Sequence, residues 1–517
     1  MPRWWEPAVV YQIYPRSFAD ANGDGVGDLD GVRQHLDHLR WLGVDALWLS
    51  PFYPSPMADF GYDVADYCDV DPVFGSLATF DALVAEAHAR DLKVLIDWVP
   101  NHSSDRHPWF LASRSSRDDP KRDWYTWRDP ASDGGPPNNW NREFATQAPA
   151  WTFDETTGQY YLHLFLPDQP DLNWANPEVQ AAMHDTLRFW MDRGVDGFRM
   201  DVIHCIGKDP DLADEPGTPT ASHVGVNDRP ETHPLLRGIR RVLDEYPDRM
   251  AVGEVYLLDI ERLAAYYGND DELNLSFNFT PIHTPWDASE WRRLIVDVED
   301  RLAPIDAWPT WVLSSHDAVR HRTRIARSST SEPSSDEARA RAAAVLLLTL
   351  RGTPFLYAGE ELGLEEAVSP EDRQVDPGGR DGCRAPIPWD ATPAHGWATD
   401  DPWLPWPPHA DTRNAATLAA DPGSILHLYR RLLVERRATK ALQEGSFALL
   451  DAPDGVLAYR RRHVDGDRTV LVNFTPDAVD VGTGFVARVV VASDGRGEGQ
   501  VFDGRLGPDA AVVLDPG

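Results

Sequence analysis

The chain alternates between strand-like and helix-like segments over most of its length. Amphipathic stretches separate the strand-like runs, as in Leu29–Leu42, where Leu29, Val32, Leu36 and Leu39 fall on one helical face. Alternation of this kind is typical of parallel β–α units, and eight units predict an α/β fold that closes into a (β/α)8 TIM barrel. The eight predicted strands are Val9–Tyr14, Val44–Ser50, Lys93–Val99, Val195–Asp201, Met250–Val255, Leu273–Phe279, Thr310–Ser315 and Pro354–Tyr357.

Two connections are too long to be simple loops, and both predict inserted modules. Residues 101–173, after the third strand, are rich in Asp, Pro, Gly and Trp and predict a subdomain that overhangs the barrel. Its tryptophans fit packing inside a loop-rich module at least as well as stacking on a ligand. A second insertion, about 359–422, predicts another wall. The barrel itself is assigned to residues 1–100 and 174–438.

The last part of the chain has a different pattern. After a final helix, residues 439–517 contain short runs of β-type residues. Val456–His463 and Arg468–Phe474 flank Asp465 and Gly466, which is a hairpin signal. This segment predicts a C-terminal antiparallel β-sandwich.

Composition limits the partners of the chain. Its 517 residues are 42% hydrophobic and carry a net charge of −34, which weighs against nucleic acid and anionic lipid as partners. There is no apolar run of 18 residues, so no membrane span is predicted. The N-terminus lacks an apolar signal region, and the three cysteines lie far apart, so a cytoplasmic location is expected.

Three acidic residues, Asp201, Glu254 and Asp317, each follow an apolar strand-like run. A lone acid after such a run is more often an ordinary surface carboxylate. However, the C-terminal ends of barrel strands meet at one face, and three carboxylates there would suit cleavage of a glycosidic bond. Arg199 lies two residues before Asp201, on the same face of the strand, and is expected to keep that carboxylate ionised.

Six short segments in order resemble the α-amylase superfamily of glycoside hydrolases, and within it the exo-acting α-glucosidases and oligo-1,6-glucosidases. The resemblance covers nearly the whole chain. The segments are Gln12–Phe18, Asp97–His102, Gln169–Trp174, Gly197–Val202, Gly253–Val255 and His316–Asp317.

The resemblance implies a role for each matching residue. Asp201 matches the nucleophile, Glu254 the general acid/base and Asp317 the carboxylate that stabilises the transition state. The residues that match positions lining the same glucose subsite are His102, Arg199 and His316.

The segment Gly61–Val64 matches the place where exo-acting members hold the terminal glucose. Tyr62 and Asp63 are therefore expected to bind this sugar, with Arg380 as their partner in preference to Arg384. One departure is Ser315, since many relatives have Asn before the His-Asp pair.

The segment Asp20–Asp28 is the best candidate for a metal site. Oxygen donors on alternate residues, with Gly25 at the bend, resemble the start of a calcium loop, but Gly31 stands where the bidentate Glu would be. A metal-free loop of Asx turns is the alternative. The same loop binds calcium in several relatives, which implies a structural Ca²⁺ with no catalytic role. The residues of this site are Asp20, Asn22, Asp24, Val26 and Asp28.

The resemblance predicts a retaining exo-α-glucosidase that releases α-glucose from the non-reducing end of short α-glucosides such as maltose, through a covalent glucosyl-enzyme. Transglucosylation is a credible side activity. Val202 favours α-1,6 linkages, whereas residues 202–210 and 253–256 look more like maltose-active enzymes. Oligo-1,6-glucosidase and trehalose-forming isomerase stay as alternatives. An inactive transporter subunit would have an N-terminal membrane helix and lost carboxylates, and this chain shows neither.

Overall fold

The structure is a computed structural model that describes residues 3–144, 148–215, 227–327, 335–482, 484 and 486–517. The strands are β1 Val10–Ile13, β2 Ala46–Leu49, β3 Lys93–Trp98, β4 Trp127–Arg128, β5 Trp151–Asp154, β6 Gln159–Leu162, β7 Gly197–Met200, β8 Met250–Gly253, β9 Leu275–Ser276, β10 Thr310–Val312, β11 Thr353–Tyr357, β12 Ser446–Leu450, β13 Val456–Arg462, β14 Arg468–Asn473, β15 Val479–Asp480, β16 Arg488–Ala492, β17 Arg505–Leu506 and β18 Ala511–Asp515.

The α-helices follow in the same chain order. They are α1 Leu29–Gln34, α2 Leu36–Leu42, α3 Leu77–His88, α4 Pro108–Ser115, α5 Pro177–Asp192, α6 Thr232–Leu243, α7 Ile260–Ala264, α8 Thr280–His283, α9 Ala288–Leu302, α10 His321–Arg327, α11 Ser335–Thr349, α12 Ala415–Ala420, α13 Ile425–Ala438 and α14 Lys440–Glu444.

Eight parallel strands form the predicted barrel in the order β10, β11, β1, β2, β3, β7, β8, β9. Strands buried on both faces read as nearly continuous apolar runs, and almost every residue of these strands is buried. The prediction of a (β/α)8 barrel is confirmed. The observed strands are shorter than the predicted ones at most ends because the ladder stops before the residues that turn into the loops.

The barrel is nearly closed, since β9 and β10 are joined by a side chain and not by a ladder. The hydroxyl of Thr310 donates to the carbonyl of Ser276 at 2.8 Å and accepts from the amide of Asn278 at 2.9 Å. One threonine therefore replaces strand pairing at the seam. This explains why the predicted strand Leu273–Phe279 contracts to the two residues of β9.

The inserted segment after β3 carries its own three-stranded antiparallel sheet, in the order β4, β6, β5. Four of its tryptophans, Trp124, Trp127, Trp140 and Trp151, are at most 7% exposed. They pack inside the module and at its border, where Trp124 donates to Glu178 and Trp140 donates to the carbonyl of Ala213. Within the described residues of this segment, the aromatic side chains that reach the cavity at the barrel face are Phe144 and Phe165.

The second insertion packs against the loop that follows β1. Trp389 donates from its indole to the carbonyl of Phe18, and Trp403 donates from its backbone to the carbonyl of Gly25. The same insertion brings Arg380 and Arg384 to the C-terminal face of the barrel. The insertion is thus a wall of the site, as the sequence predicts.

The C-terminal part is an antiparallel sheet in the order β12, β13, β14, β18, β16, with a small second sheet of β15 and β17. One face packs on the barrel, where Tyr459 and Thr349 of α11 share a hydrogen bond. The other face buries a separate cluster that includes Val456, Leu471 and Leu514. Among the described residues, none of the helices is both long enough and apolar enough to span a membrane.

Candidate active site

A cavity of about 400 Å³ opens at the C-terminal face of the barrel. It lies where the ends of the parallel strands meet, which is where barrel enzymes hold their reactive groups. Asp201 directly follows β7, and Glu254 directly follows β8. The cavity is lined by Asp59, Tyr62, His102, Glu143, Phe144, Leu164, Phe165, Asp201, Val202, His204, Cys205, Asn227, Glu254, Tyr256, Asp317, Gly378 and Arg380.

The guanidinium group of Arg199 organises the floor of this cavity. Its Nη1 donates to Asp97 at 2.7 Å and to Asp201 at 2.6 Å, and its Nη2 donates to Glu254 at 2.6 Å. Asp97 also accepts from Trp48 and Tyr62, each at 3.1 Å. The predicted nucleophile and the predicted acid/base therefore share one buried cation.

Protonation of this cluster differs from the sequence expectation. Burial raises the pKa of Asp201 well above its ordinary value, and the pull of Arg199 only partly opposes it. Burial likewise raises the pKa of Asp97 to about 7. One guanidinium cannot neutralise three carboxylates, so the group as a whole retains a proton more readily than separate acids. Arg199 orients Asp201, but its charge does not outweigh burial.

The two oxygens of Glu254 have different surroundings. Oε2 accepts both from Arg199 and from the backbone amide of Val202, at 3.0 Å for the latter. Since Oε2 is held by two donors, the proton of a neutral Glu254 belongs on Oε1. Val202 has a φ of 34°, a left-handed conformation that is costly for a β-branched residue, and this conformation aims its amide at Glu254.

His316 is a neutral ring held on both sides. Gln12 donates to its Nδ1 at 2.6 Å, so the ring proton lies on Nε2, which faces Tyr62 at 2.5 Å and Asp317 at 3.1 Å. Burial lowers the pKa of His316 to about 3, so the ring stays uncharged at neutral pH. The Tyr62 ring stacks on it at a centroid distance of 5.4 Å.

Asp317 is held in its ionised form by its neighbours. Burial alone would raise its pKa, but His316 and the guanidinium groups of Arg380 and Arg384 hold it well below the usual range. Arg380 and Arg384 donate to the same oxygen at 2.9 and 3.1 Å. Ser315 supports the turn because its hydroxyl accepts from the Asp317 amide at 3.2 Å, so the serine provides one hydrogen bond of its own.

Arg380 closes one end of the cavity. It donates to Asp59 at 2.6 Å, to Asp317 at 2.9 Å and to both oxygens of Asp376 at 2.7 and 2.8 Å. Arg384 is fully buried behind it. Arg380 lines the cavity and Arg384 does not, while binding of the terminal sugar by Arg380 stays a prediction.

The expectation for Asp63 needs correction. Its carboxylate lies beneath the cavity wall, where it accepts from Ser55 and from the amides of Ala58 and Asp59. Asp59 is the carboxylate that faces the cavity and pairs with Arg380. Asp63 shapes the loop that presents Asp59, whereas Tyr62 lines the cavity as expected.

His102 lies between the barrel and the inserted subdomain. Its Nε2 contacts the carbonyl of Tyr62 and the side-chain amide of Gln169, each at 3.1 Å. Gln169 also donates to Asp59 at 3.2 Å. Burial lowers the pKa of His102 to about 4, so this ring is also neutral.

The opposite side of the cavity has fewer polar contacts. Tyr256 is 46% exposed, and its hydroxyl contacts His283 at 2.8 Å. Its ring packs against Phe279 with centroids 5.1 Å apart. Val202 and Glu143 also line the cavity.

The loop proposed to hold calcium is tied by its own backbone. Asp20 accepts from the amides of Asn22, Gly23 and Gly25, and Asp24 accepts from the amide of Val26. Within the described ranges, no group of three or more His, Cys, Asp or Glu residues could hold a metal ion.

Asp28 caps helix α1 through the amide of Gly31, so these turns account for the loop without a ligand. Ca²⁺ at this loop stays a prediction. A fall in melting temperature on chelation, reversed by Ca²⁺, would support it, and an unchanged melting temperature would contradict it.

Sequence reasoning missed several residues of the site. Asp59 and Asp376 carried no motif signal beyond their position near Tyr62 and Arg380. Tyr256 stands two residues after Glu254, the spacing that returns a side chain to the same face of an extended segment, and this could have drawn attention to it. Glu143 gave no signal, since it lies in an irregular turn of the insertion.

The barrel, its cavity and the carboxylates at its strand ends define a glycoside hydrolase. The chain belongs to the alpha-amylase family, since the family described as the alpha amylase catalytic domain matches residues 12–445. A domain of unknown function, DUF3459, matches residues 445–513.

Named relatives cover nearly the full chain. A probable alpha-glucosidase of Rhizobium meliloti (strain 1021) is 44% identical over 504 residues, which cover 92% of this chain and 90% of that protein. An oligo-1,6-glucosidase of Heyndrickxia coagulans is 39% identical, with 93% of each chain covered. Among solved structures, the alpha-glucosyl transfer enzyme XgtA matches with a TM-score of 0.91 at 40% identity, with both chains fully covered.

Proposed function

We propose that this glycoside hydrolase is a retaining exo-α-glucosidase that releases α-glucose from the non-reducing end of short α-glucosides such as maltose. The observation that carries the proposal is the shared guanidinium of Arg199, which keeps Asp201 and Glu254 close together. Retaining enzymes need a separation of about 5–5.5 Å between the two carboxyl groups, whereas inverting enzymes need more room for water.

In the proposed mechanism, the proton retained by the cluster of Asp97, Asp201 and Glu254 is carried by Glu254, so Asp201 is the carboxylate. Asp201 attacks the anomeric carbon, and the C–O bond to the leaving group breaks as Glu254 donates its proton to the leaving oxygen. The product is a covalent glucosyl-enzyme. Glu254, now ionised, then takes a proton from water, which attacks the anomeric carbon and displaces Asp201. The geometry of Glu254 suits this double role, because Oε2 accepts from Arg199 and Val202 and leaves Oε1 to exchange a proton with the substrate.

Exo action is supported by the closed end of the cavity. The ion pairs of Arg380 with Asp59 and Asp317 form a wall beyond the sugar that would lie between Tyr62 and Asp201. A polysaccharide running through the site would have to displace these buried charges. Removing one partner of such a pair costs about 3–5 kcal/mol, so the wall favours chain ends.

The linkage stays open between α-1,4 and α-1,6. Val202 favours the α-1,6 bond, and the relatives carry both alpha-glucosidase and oligo-1,6-glucosidase names. Transglucosylation is supported by the likeness to XgtA. A trehalose-forming isomerase would share the same carboxylates and would be recognised by its product.

The test is glucose release from maltose, isomaltose, sucrose, trehalose and soluble starch, with the product anomer followed by NMR. We expect α-glucose first, rapid cleavage of disaccharides and slow cleavage of starch. Initial β-glucose would overturn the retaining mechanism, and internal cleavage of starch would overturn exo action. The maltose to isomaltose ratio decides the linkage.

A further inference from the structure

Glu143 is a carboxylate of the cavity wall that the mechanism above does not use. It belongs to the inserted subdomain, and its backbone amide donates to the carbonyl of Leu164 at 2.8 Å. Leu164 packs in one cluster with Cys205 and Val202. These contacts fix the backbone of Glu143 next to the part of the cavity wall that Val202 and Cys205 form.

Glu143 lines the same cavity as Tyr256 and Cys205, which lie on the side where the leaving group would be bound. Burial raises the pKa of the Tyr256 hydroxyl, and the charges of Glu254, Asp317 and Glu143 add to that rise. Burial also raises the pKa of the Cys205 thiol, and Glu143 again contributes. Glu143 thus acts on the residues that surround the leaving-group side.

Charge is not balanced on this side. Among the described residues that line the cavity, the arginine is Arg380, whose guanidinium is committed to Asp59, Asp317 and Asp376 and also lies over the ring of Phe144. Lys208 is directed into Asn101 and Asp171 behind the wall. Within the described ranges no ion pair is formed by Glu143.

The charge on this wall depends on pH. Burial raises the pKa of Glu143 to about 7, so the group is ionised in a mildly alkaline assay. His204, on the same side, is buried, and burial lowers its pKa, so it adds no positive charge.

We propose that Glu143 is a specificity-determining residue that selects α-glucosides with a neutral or cationic aglycone and rejects anionic ones, such as phosphorylated or carboxylate-bearing aglycones. This inference rests on the proposed function, because it assumes that glucose occupies the end closed by Arg380. An ionised carboxylate hydrogen-bonds hydroxyl groups as an acceptor and repels a second anion.

The experiment compares three aryl α-glucosides at pH 8: 4-nitrophenyl (neutral), 4-carboxyphenyl (anionic) and 4-(trimethylammonio)phenyl (cationic). For each probe, the kcat/KM of the variant is divided by the kcat/KM of the wild type, which cancels the differences in leaving-group reactivity. For Glu143→Gln we expect the relative kcat/KM of the anionic probe to rise roughly fivefold, and that of the cationic probe to fall by a similar factor, as expected for one charge at a partly screened distance.

Two controls separate charge from structure. Glu143→Asp keeps the charge and should keep the wild-type ratios. Glu155→Gln removes the same charge from an exposed position of the same subdomain and should leave all ratios unchanged. Equal changes in the relative kcat/KM of all three probes for Glu143→Gln would overturn the proposal. A purely structural role of Glu143 predicts that result, because it does not depend on the charge of the probe.

Failure of the proposed function would look different. In that case the neutral probe is not cleaved by the wild type. The charge preference is then measured as the dissociation constants of the three probes for Asp201→Asn protein with and without Glu143→Gln. The same ordering is expected there, and identical ratios would overturn the inference.

Discussion

The two ends of the cavity are built differently. At the end closed by Arg380, Asp59, Asp317 and Asp376 are tied into one network of short hydrogen bonds, and His316 is fixed by a partner on each nitrogen. At the other end Tyr256 is 46% exposed and has one side-chain hydrogen bond. One end is preorganised, while the other is adaptable.

The contrast explains how one site can select one part of a ligand strictly and tolerate variation in the other part. Preorganised polar groups discriminate strongly, because an ill-fitting ligand leaves buried groups unpaired. An exposed aromatic wall contributes contact area with little orientation demand. Under the proposed function, the glucosyl unit is selected sharply and its partner loosely, and the four predictions below test this contrast in order of size.

Asp201 lies at the boundary of the two ends, and its loss should have the largest effect. Asp201→Asn removes the proposed nucleophile while keeping the shape of the side chain, so we expect kcat to fall by about 10⁴-fold or more. Glucose release measured by a coupled assay checks this. Glu254→Gln is the matched comparison: its loss should be much smaller for an aryl α-glucoside whose leaving group needs no proton. Full activity of Asp201→Asn would refute the assignment.

At the preorganised end, Arg380→Lys should cost more than any change of the adaptable wall. Lysine keeps the charge but cannot bridge Asp59, Asp317 and Asp376 together. We expect kcat/KM to fall about 100-fold, from a loss near 3 kcal/mol. Steady-state kinetics with maltose measure it. Arg373→Lys in the same insertion serves as a control at a more exposed position. An equal fall in kcat/KM for both variants would contradict a special contribution of Arg380.

His102 lies at the preorganised end, and its contribution is measured as the pH dependence of the protein's stability. Its pKa is lowered by burial to about 4, whereas an unfolded histidine titrates near 6.5. Between these values the unfolded chain binds a proton that the folded protein refuses, so stability is lost as pH falls from about 6.5 to 4. This group alone accounts for about 3 kcal/mol. His102→Gln should flatten that part of the melting-temperature profile, and an unchanged slope would contradict the prediction.

Tyr256 should show the smallest effect. Tyr256→Ala removes the aromatic wall, and we expect KM for disaccharides to rise about threefold to tenfold with kcat little changed, in line with about 1 kcal/mol for one aromatic contact. Tyr256→Phe keeps the ring and loses the bond to His283, and should behave nearly as wild type. A large fall in kcat for Tyr256→Ala would place this residue in the preorganised machinery instead.

Much of this could be predicted from the sequence, because apolar runs and strand ends obey simple rules. All eight barrel strands were located, and Asp201, Glu254, Asp317, Tyr62, His102 and Arg380 reach one cavity. Parallel strands bring their C-terminal ends to one face whatever the loops do. Asp201 and Glu254 directly follow strands and were predictable in this way, whereas Tyr62, His102 and Arg380 lie on loops and were predicted only from the family resemblance.

Residues placed by irregular loops could not be predicted in the same way. Asp59 and Asp63 are four positions apart, and either could face the cavity. Met57 and Phe60 adopt positive φ angles that turn the loop, so Asp63 caps its amides and Asp59 points at Arg380. The upward shift in the pKa of Asp201 could not be predicted from the sequence either, because it depends on how completely the neighbouring side chains exclude water.

The pairing of Asp59 with Arg380 also has a consequence for the order of synthesis. The two residues are 321 positions apart in the chain. A ribosome adds Asp59 long before it adds Arg380, so this carboxylate lacks the Arg380 guanidinium until late in synthesis. The wall that the two residues form is complete only after the insertion that follows β11 has been made.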